Sequence, residues 1–109
     1  MNALQNRVQL IGHVGKDPII KEFESGKKLA NLTLATNDVY VSKKGDQVEQ
    51  TQWHNIVAWG KTAETIEKFV EKGKKIGITG KLTSRSYDDK EGNKRYVTEV
   101  VINELLLMK

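Results

Sequence analysis

Cysteine is absent from this chain, which excludes disulfide staples and thiolate metal centres and is compatible with a reducing compartment. Histidine occurs only at His13 and His54, without the close spacing of a metal-ligand pair, so no metal site is expected. Proline is nearly absent too: Pro18 is the single one, in an Asp17-Pro18 turn. No apolar run approaches the roughly 20 residues needed to span a bilayer, and Met1-Asn2-Ala3-Leu4-Gln5-Asn6-Arg7 lacks the apolar stretch of a signal peptide. Phosphate-binding glycine loops, nucleophile elbows and paired-histidine motifs are missing as well. Gly12, Gly15, Gly77 and Gly80 fall within expected strands, where glycine serves bends and close packing. Neither an enzyme nor a bound cofactor is expected.

What remains is a chain of 109 residues, enough for one compact domain over residues 1–109. Hydrophobic residues make up 38% and charged residues 29%, the balance of a globular protein and not of a disordered tail. The formal net charge is +4, with a pI near 9.3. That favours a polyanionic partner, although a small basic protein without one would carry the same balance.

The hydrophobic pattern reads as strands with one helix. Period-two alternation predicts strands over about Leu4–Val14, Leu29–Val41, Val48–Trp59, Lys75–Tyr87 and Lys94–Leu107, with a short extended piece at Ile19–Phe23. Ser42-Lys43-Lys44-Gly45-Asp46 and Asp88-Asp89-Lys90-Glu91-Gly92-Asn93 read as polar hairpin loops. Ala63, Ile66, Phe69 and Val70 recur at three- and four-residue spacing, one apolar face of a helix with Glu64 in its first turn, Lys72 in its last and Gly73 as the stop. Three long strands, a helix and two more strands match an all-β OB-fold, a five-stranded Greek-key barrel with one helix between strands 3 and 4. A small α+β sandwich is the alternative.

The segment from Gln50 to Lys61 carries both tryptophans on one strand. Side chains alternate across a strand, so Trp53, Asn55, Val57 and Trp59 share a face, while His54, Ile56 and Ala58 share the other. Two indoles flanking a polar residue make an odd core but a reasonable platform for a nucleobase. Tyr40 and Tyr87, beside polar neighbours, are further stacking candidates. The competing reading has all four rings closing the ends of the barrel. Phe23, Phe69 and Tyr96 are assigned to the core or to surface packing. Lys43, Lys44, Lys61, Arg85 and the Lys72, Lys74, Lys75 cluster interleave with the rings and could meet phosphates, or could be an ordinary solvated surface. His54, facing away from the indoles, and His13 read first as hydrogen-bonded structural residues.

These segments resemble bacterial single-stranded DNA-binding proteins. The resemblance lies in Asn6-Arg7-Val8-Gln9-Leu10-Ile11-Gly12-His13-Val14-Gly15-Lys16-Asp17-Pro18, in Ala30-Asn31-Leu32-Thr33-Leu34-Ala35-Thr36, and in the run from Gln52 through Glu64. Gly80-Lys81-Leu82-Thr83-Ser84-Arg85-Ser86-Tyr87 and Tyr96-Val97-Thr98-Glu99-Val100-Val101 complete it. The resemblance implies an OB-fold homotetramer that binds single-stranded DNA without sequence preference in replication, recombination and repair, in the cytoplasm at the nucleoid. It implies Tyr40, Trp53, Trp59 and Tyr87 as stacking residues, the two tyrosines standing where many members have tryptophan. Arg7, Lys43, Lys61, Lys72 and Arg85 match basic positions along the DNA path, and His54 matches a residue supporting subunit association. Asn55 and Thr83 depart from the pattern, standing where many members carry arginine. Members usually continue into a flexible linker and an acidic tip that recruits partner proteins. This sequence runs to Leu105-Leu106-Leu107-Met108-Lys109, so tail-mediated recruitment is not expected from it. Two other readings remain at this stage: a primosomal replication protein, against which the full aromatic set argues, and an assembly protein whose rings form subunit contacts.

Overall fold

A computed structural model describes residues 5–108. It contains β1 (Val8–Val14), β2 (Ile19–Glu22), β3 (Lys28–Val41), β4 (Gln47–Trp59), α1 (Lys61–Phe69), β5 (Lys75–Asp88) and β6 (Lys94–Leu107). The strands run in the order β1-β5-β6-β4-β3-β2, and an additional β1–β3 pairing closes five of them into a barrel. Closure rests on two short junctions. His13 and Val14 of β1 pair with Ala35 and Leu34, and Ile56 and Val57 of β4 run parallel to Val100 and Val101.

Glycine makes both bends. A Cβ on Gly12 would collide with the carbonyl of Ala35, where β1 leaves β5 for β3. A Cβ on Gly80 would collide with the carbonyl of Val101, beside the register shift of the β5–β6 ladder. Bulges of this kind tighten a sheet's twist and let it curl shut.

The barrel interior is aliphatic. Leu34, Ile56, Ile66 and Ile76 are its largest fully buried side chains, each worth about 1.5–3 kcal/mol of transfer free energy. Val14, Ala30, Leu32, Ala58, Ile78, Val100 and Ile102 complete the inward rows. Helix α1 packs on β3, β4 and β6 and contributes Ala63 and Ile66 to the same core, with Val70 joining them just past its end. Gly60 joins β4 to α1 at φ 62°, a conformation costly for any side chain. Lys28 donates to Glu67 at 2.7 Å, tying the start of β3 to the helix and holding the lysine's pKa above its usual value.

The fold agrees with the expected OB-fold, with differences of detail. The short extended piece is a paired strand, so the helix follows the fourth strand in chain order. Leu4, the expected start of β1, lies outside the described residues, and Gln5, Asn6 and Arg7 precede the strand. There the Asn6 amide stands in for backbone, accepting from the Leu82 N–H at 2.8 Å and donating to its carbonyl at 2.9 Å. Leu82 itself is exposed, although its partner Val100 is buried. The helix stops at Phe69: Val70 turns extended, and Lys72 lies past the last turn, where Lys68 stands instead. Phe69 is exposed, because Ala63, Ile66 and Val70 alone form the buried stripe. Among the described residues no helix is long and apolar enough to cross a membrane.

Candidate nucleic-acid interface

The β3–β4 ladder runs in unbroken register from Leu29↔Trp59 to Val41↔Gln47. Directly paired residues point to the same side, so the outward face reads in rows: Ala35 with Trp53, Thr33 with Asn55, Asn31 with Val57, Leu29 with Trp59. β2 extends the last two rows, placing Ile19 beside Asn31 and Lys21 beside Leu29. The inward rows hold Ala30, Leu32, Leu34, Ile56 and Ala58. The hydrophobic interior thus consumes one parity of β4 and leaves both tryptophans outside, six residues and about 20 Å apart.

Trp53 is 62% exposed and Trp59 is 41% exposed. The Trp53 ring lies over Gly15, where any Cβ would collide with it and with the Thr33 hydroxyl. One edge of the indole is therefore braced on glycine backbone while the rest faces solvent. Trp59 is braced by Phe23, whose ring stacks on it with centroids 6.0 Å apart and planes 19° from parallel. Between the tryptophans runs an open groove of about 320 Å³, floored by Asn31, Thr33, Asn55 and Val97 and edged by Lys16, Ile19 and Arg85.

Arg85 and Tyr87 reach this face from β5. The parallel Val57–Val101 junction puts the odd-numbered rows of β4 and β6 side by side, and Val97 and Glu99 of β6 pair with Arg85 and Thr83 of β5. Glu99 is only 9% exposed. It accepts from Arg85 Nε at 2.9 Å, which aims the guanidinium along the groove 6.0 Å from the Tyr87 ring. Arg85 keeps further N–H donors for a ligand. The groove's other carboxylate, Asp17, accepts the backbone N–H of Lys72 at 2.8 Å. Both acidic groups lining the groove are thus already engaged.

Not every expected residue converges here. Tyr40 has the parity of Leu34 and His54, so it leaves the β3–β4 arm on the side opposite Trp53, and it is exposed there. Lys43 sits at the tip of the same arm, in the turn closed by Ser42 N–H to Asp46 at 2.8 Å. Lys61 lines a separate groove between α1 and the end of β6. Lys72 follows the helix, and Arg7 lies before β1; both are exposed. His54 shares the inward parity at the barrel's rim, part-buried, 3.0 Å from the Thr36 hydroxyl. Asn55 is exposed in the groove, while the Thr83 hydroxyl reaches the Glu99 carbonyl at 3.4 Å. Lys16, Lys21 and Lys27 carry no signal of their own in the sequence, and Phe23 reads there as core or surface packing. Their place depends on how β1 and β2 dock on β3, which alternation within one strand does not reveal. Among the described residues no three metal-ligating side chains cluster.

The profile of the single-strand binding protein family matches residues 5–108. The chain is 43% identical over 104 residues to single-stranded DNA-binding protein 1 of Chlorobaculum tepidum, covering 94% of this chain and 64% of that protein. It is 44% identical over 105 residues to the single-stranded DNA-binding protein of Bacteroides thetaiotaomicron, covering 94% and 65%. Single-stranded DNA-binding protein 1 of Xylella fastidiosa is 40% identical over 107 residues, covering 97% and 79%. The chain thus spans slightly under two thirds of the length of the first two relatives. A solved structure of the Plasmodium falciparum SSB complex with ssDNA superimposes with a TM-score of 0.88 at 28% identity, over 95% of each chain. Matched along nearly its whole length by profile, sequence and fold, this chain belongs to the single-strand binding protein family.

Proposed function

We propose that the protein binds and protects single-stranded DNA without sequence preference, stacking bases on exposed rings and pairing phosphates with lysine and arginine. The observation that carries this reading is the pair of braced, exposed indoles on one outward face, with an open groove between them. Stacking is indifferent to base identity, because every base has a π-face.

In this account Trp53 and Trp59 are the main stacking residues, and Tyr87 extends the surface along β5. Tyr40 meets a strand that wraps around the β3–β4 arm to its other side. Arg85 and Lys61 flank the barrel, Lys43 serves the arm, and Arg7 and Lys72 serve the outer edges. Family membership supports a homotetramer working in replication, recombination and repair. His54, part-buried and off the tryptophan face, suits the proposed role at a subunit contact.

The reading is tested by alanine substitution at the indoles. Trp53→Ala and Trp59→Ala should each weaken binding to oligo(dT) by about 1–3 kcal/mol. Duplex DNA should compete poorly in either case. Unchanged affinity in both variants would remove stacking from the account.

A further inference from the structure

The aromatic surface does not end at Trp59. We propose that Phe23, Trp59, Lys21 and Lys27 form an additional nucleotide subsite, which carries the single strand off the barrel and onto the β2–β3 hairpin. The proposal rests on the single-stranded DNA reading above and extends its path by one hairpin.

Phe23 is held firmly. Its N–H donates to the Lys27 carbonyl at 2.9 Å and its carbonyl accepts from Gly26 at 2.8 Å, with Gly26 at φ 86° making the reversal. It follows β2 with the parity of Lys21, which lies in the same cross-strand row as Leu29 and Trp59. The ring therefore arrives on the outward face, where it forms a near-parallel aromatic stack with Trp59.

The cations are the second, independent observation. Lys21 Nζ stands 5.2 Å from the Phe23 centroid and Lys27 Nζ stands 5.0 Å from the Trp59 centroid. Each ammonium rests against a ring that a base would cover. A ligand must therefore displace the cation from the π-face and offer it a new anion. A free base meets only the first demand and inorganic phosphate only the second. A nucleotide within a strand meets both, with the base on the ring and the flanking phosphate on the displaced lysine. Glu22 has the opposite parity, opposite Lys28, so its charge is turned away from the platform.

The platform also continues the groove. Ile19 and Asn31, which line the groove between the tryptophans, occupy the row just before Lys21, Leu29 and Trp59. A strand leaving the groove past Trp59 meets Phe23 next.

Two measurements test the subsite. The first uses Phe23→Trp in a Trp53→Phe, Trp59→Phe background, so that position 23 reports alone. Titration with oligo(dT) should quench its emission. The second compares the wild type with Phe23→Leu across a length series of oligo(dT). The wild type should gain affinity as the strand becomes long enough to reach the hairpin, and Phe23→Leu should lose about fivefold or more on the longer oligomers only. If the triple variant no longer binds, the length series alone decides. Phe23→Leu matching the wild type at every length would overturn the subsite while leaving the tryptophan groove intact. Failure of the wild type to bind any oligo(dT) would overturn both.

Discussion

Gly15 has no side chain because Trp53 occupies the space one would need. The indole is large and exposed, so its orientation depends on what its inner edge rests against. Gly15→Ala should tilt the ring away from β1 and weaken oligo(dT) binding by about tenfold, a partial loss of the stacking energy. A shifted Trp emission maximum in the free protein should accompany the loss. Trp53 and Trp59 were legible in the sequence because strict alternation sorts one strand's residues into two faces without any knowledge of its neighbours. Phe23 is not, and by its neighbours in sequence reads as core or surface packing. Its partnership with Trp59 depends on the registers of two successive ladders, β2 with β3 and β3 with β4. Tyr40 shows the converse. Its neighbourhood identified an exposed ring, yet the unbroken register carries it to the other side of the arm from Trp53.

At the scale of elements, β6 was read residue for residue and β4 to within one, since long β-branched and alternating runs leave little choice. The helix ends earlier than the sequence suggests, because Gly73 looks like a terminator. Its φ of 87° serves instead the turn that returns the chain to β1, where its N–H donates to the Val14 carbonyl at 2.8 Å. Lys74 then accepts from Val14 N–H at 2.9 Å, so tertiary pairing claims the segment that helix propensity would have extended. The β5–β6 hairpin depends on Asp89. Its carboxylate accepts the N–H groups of Glu91 and Asn93 and the Nε of Arg95, each at 2.9 Å. Arg95 is the largest cause holding the Asp89 pKa below its ordinary value of 3.8. A depressed carboxylate pKa stabilises the fold above the unfolded value and loses that contribution as pH falls through the folded one. The turn should therefore be fully held above about pH 5 and should loosen below the ordinary carboxylate range. Hydrogen exchange at Glu91 and Asn93 should become less protected there, and Asp89→Asn should remove the pH dependence. Unchanged protection on acidification would contradict this.

For the whole molecule, barrel closure was the least legible feature. The β1–β3 and β4–β6 junctions hold two residue pairs each, between segments distant in sequence, and leave no periodic trace. Gly12 and Gly80 read in the sequence as serving bends and close packing, but only closure shows that each admits a neighbouring carbonyl. The net charge of +4 acts at this scale as well. Each lysine or arginine that neutralises a phosphate should contribute about 0.7 to the fall of log K with log salt on single strands. Lys43→Ala should reduce that slope by about this amount if the β3–β4 arm meets the strand.

Intrinsic tryptophan fluorescence during titration with poly(dT), at low and high salt and with duplex DNA as control, addresses base stacking on the outward indoles most directly. The account predicts strong quenching by the single strand, little by the duplex, and weaker affinity at high salt. An emission spectrum unmoved by poly(dT), with no binding by a second method, would contradict it and return both tryptophans to a subunit contact.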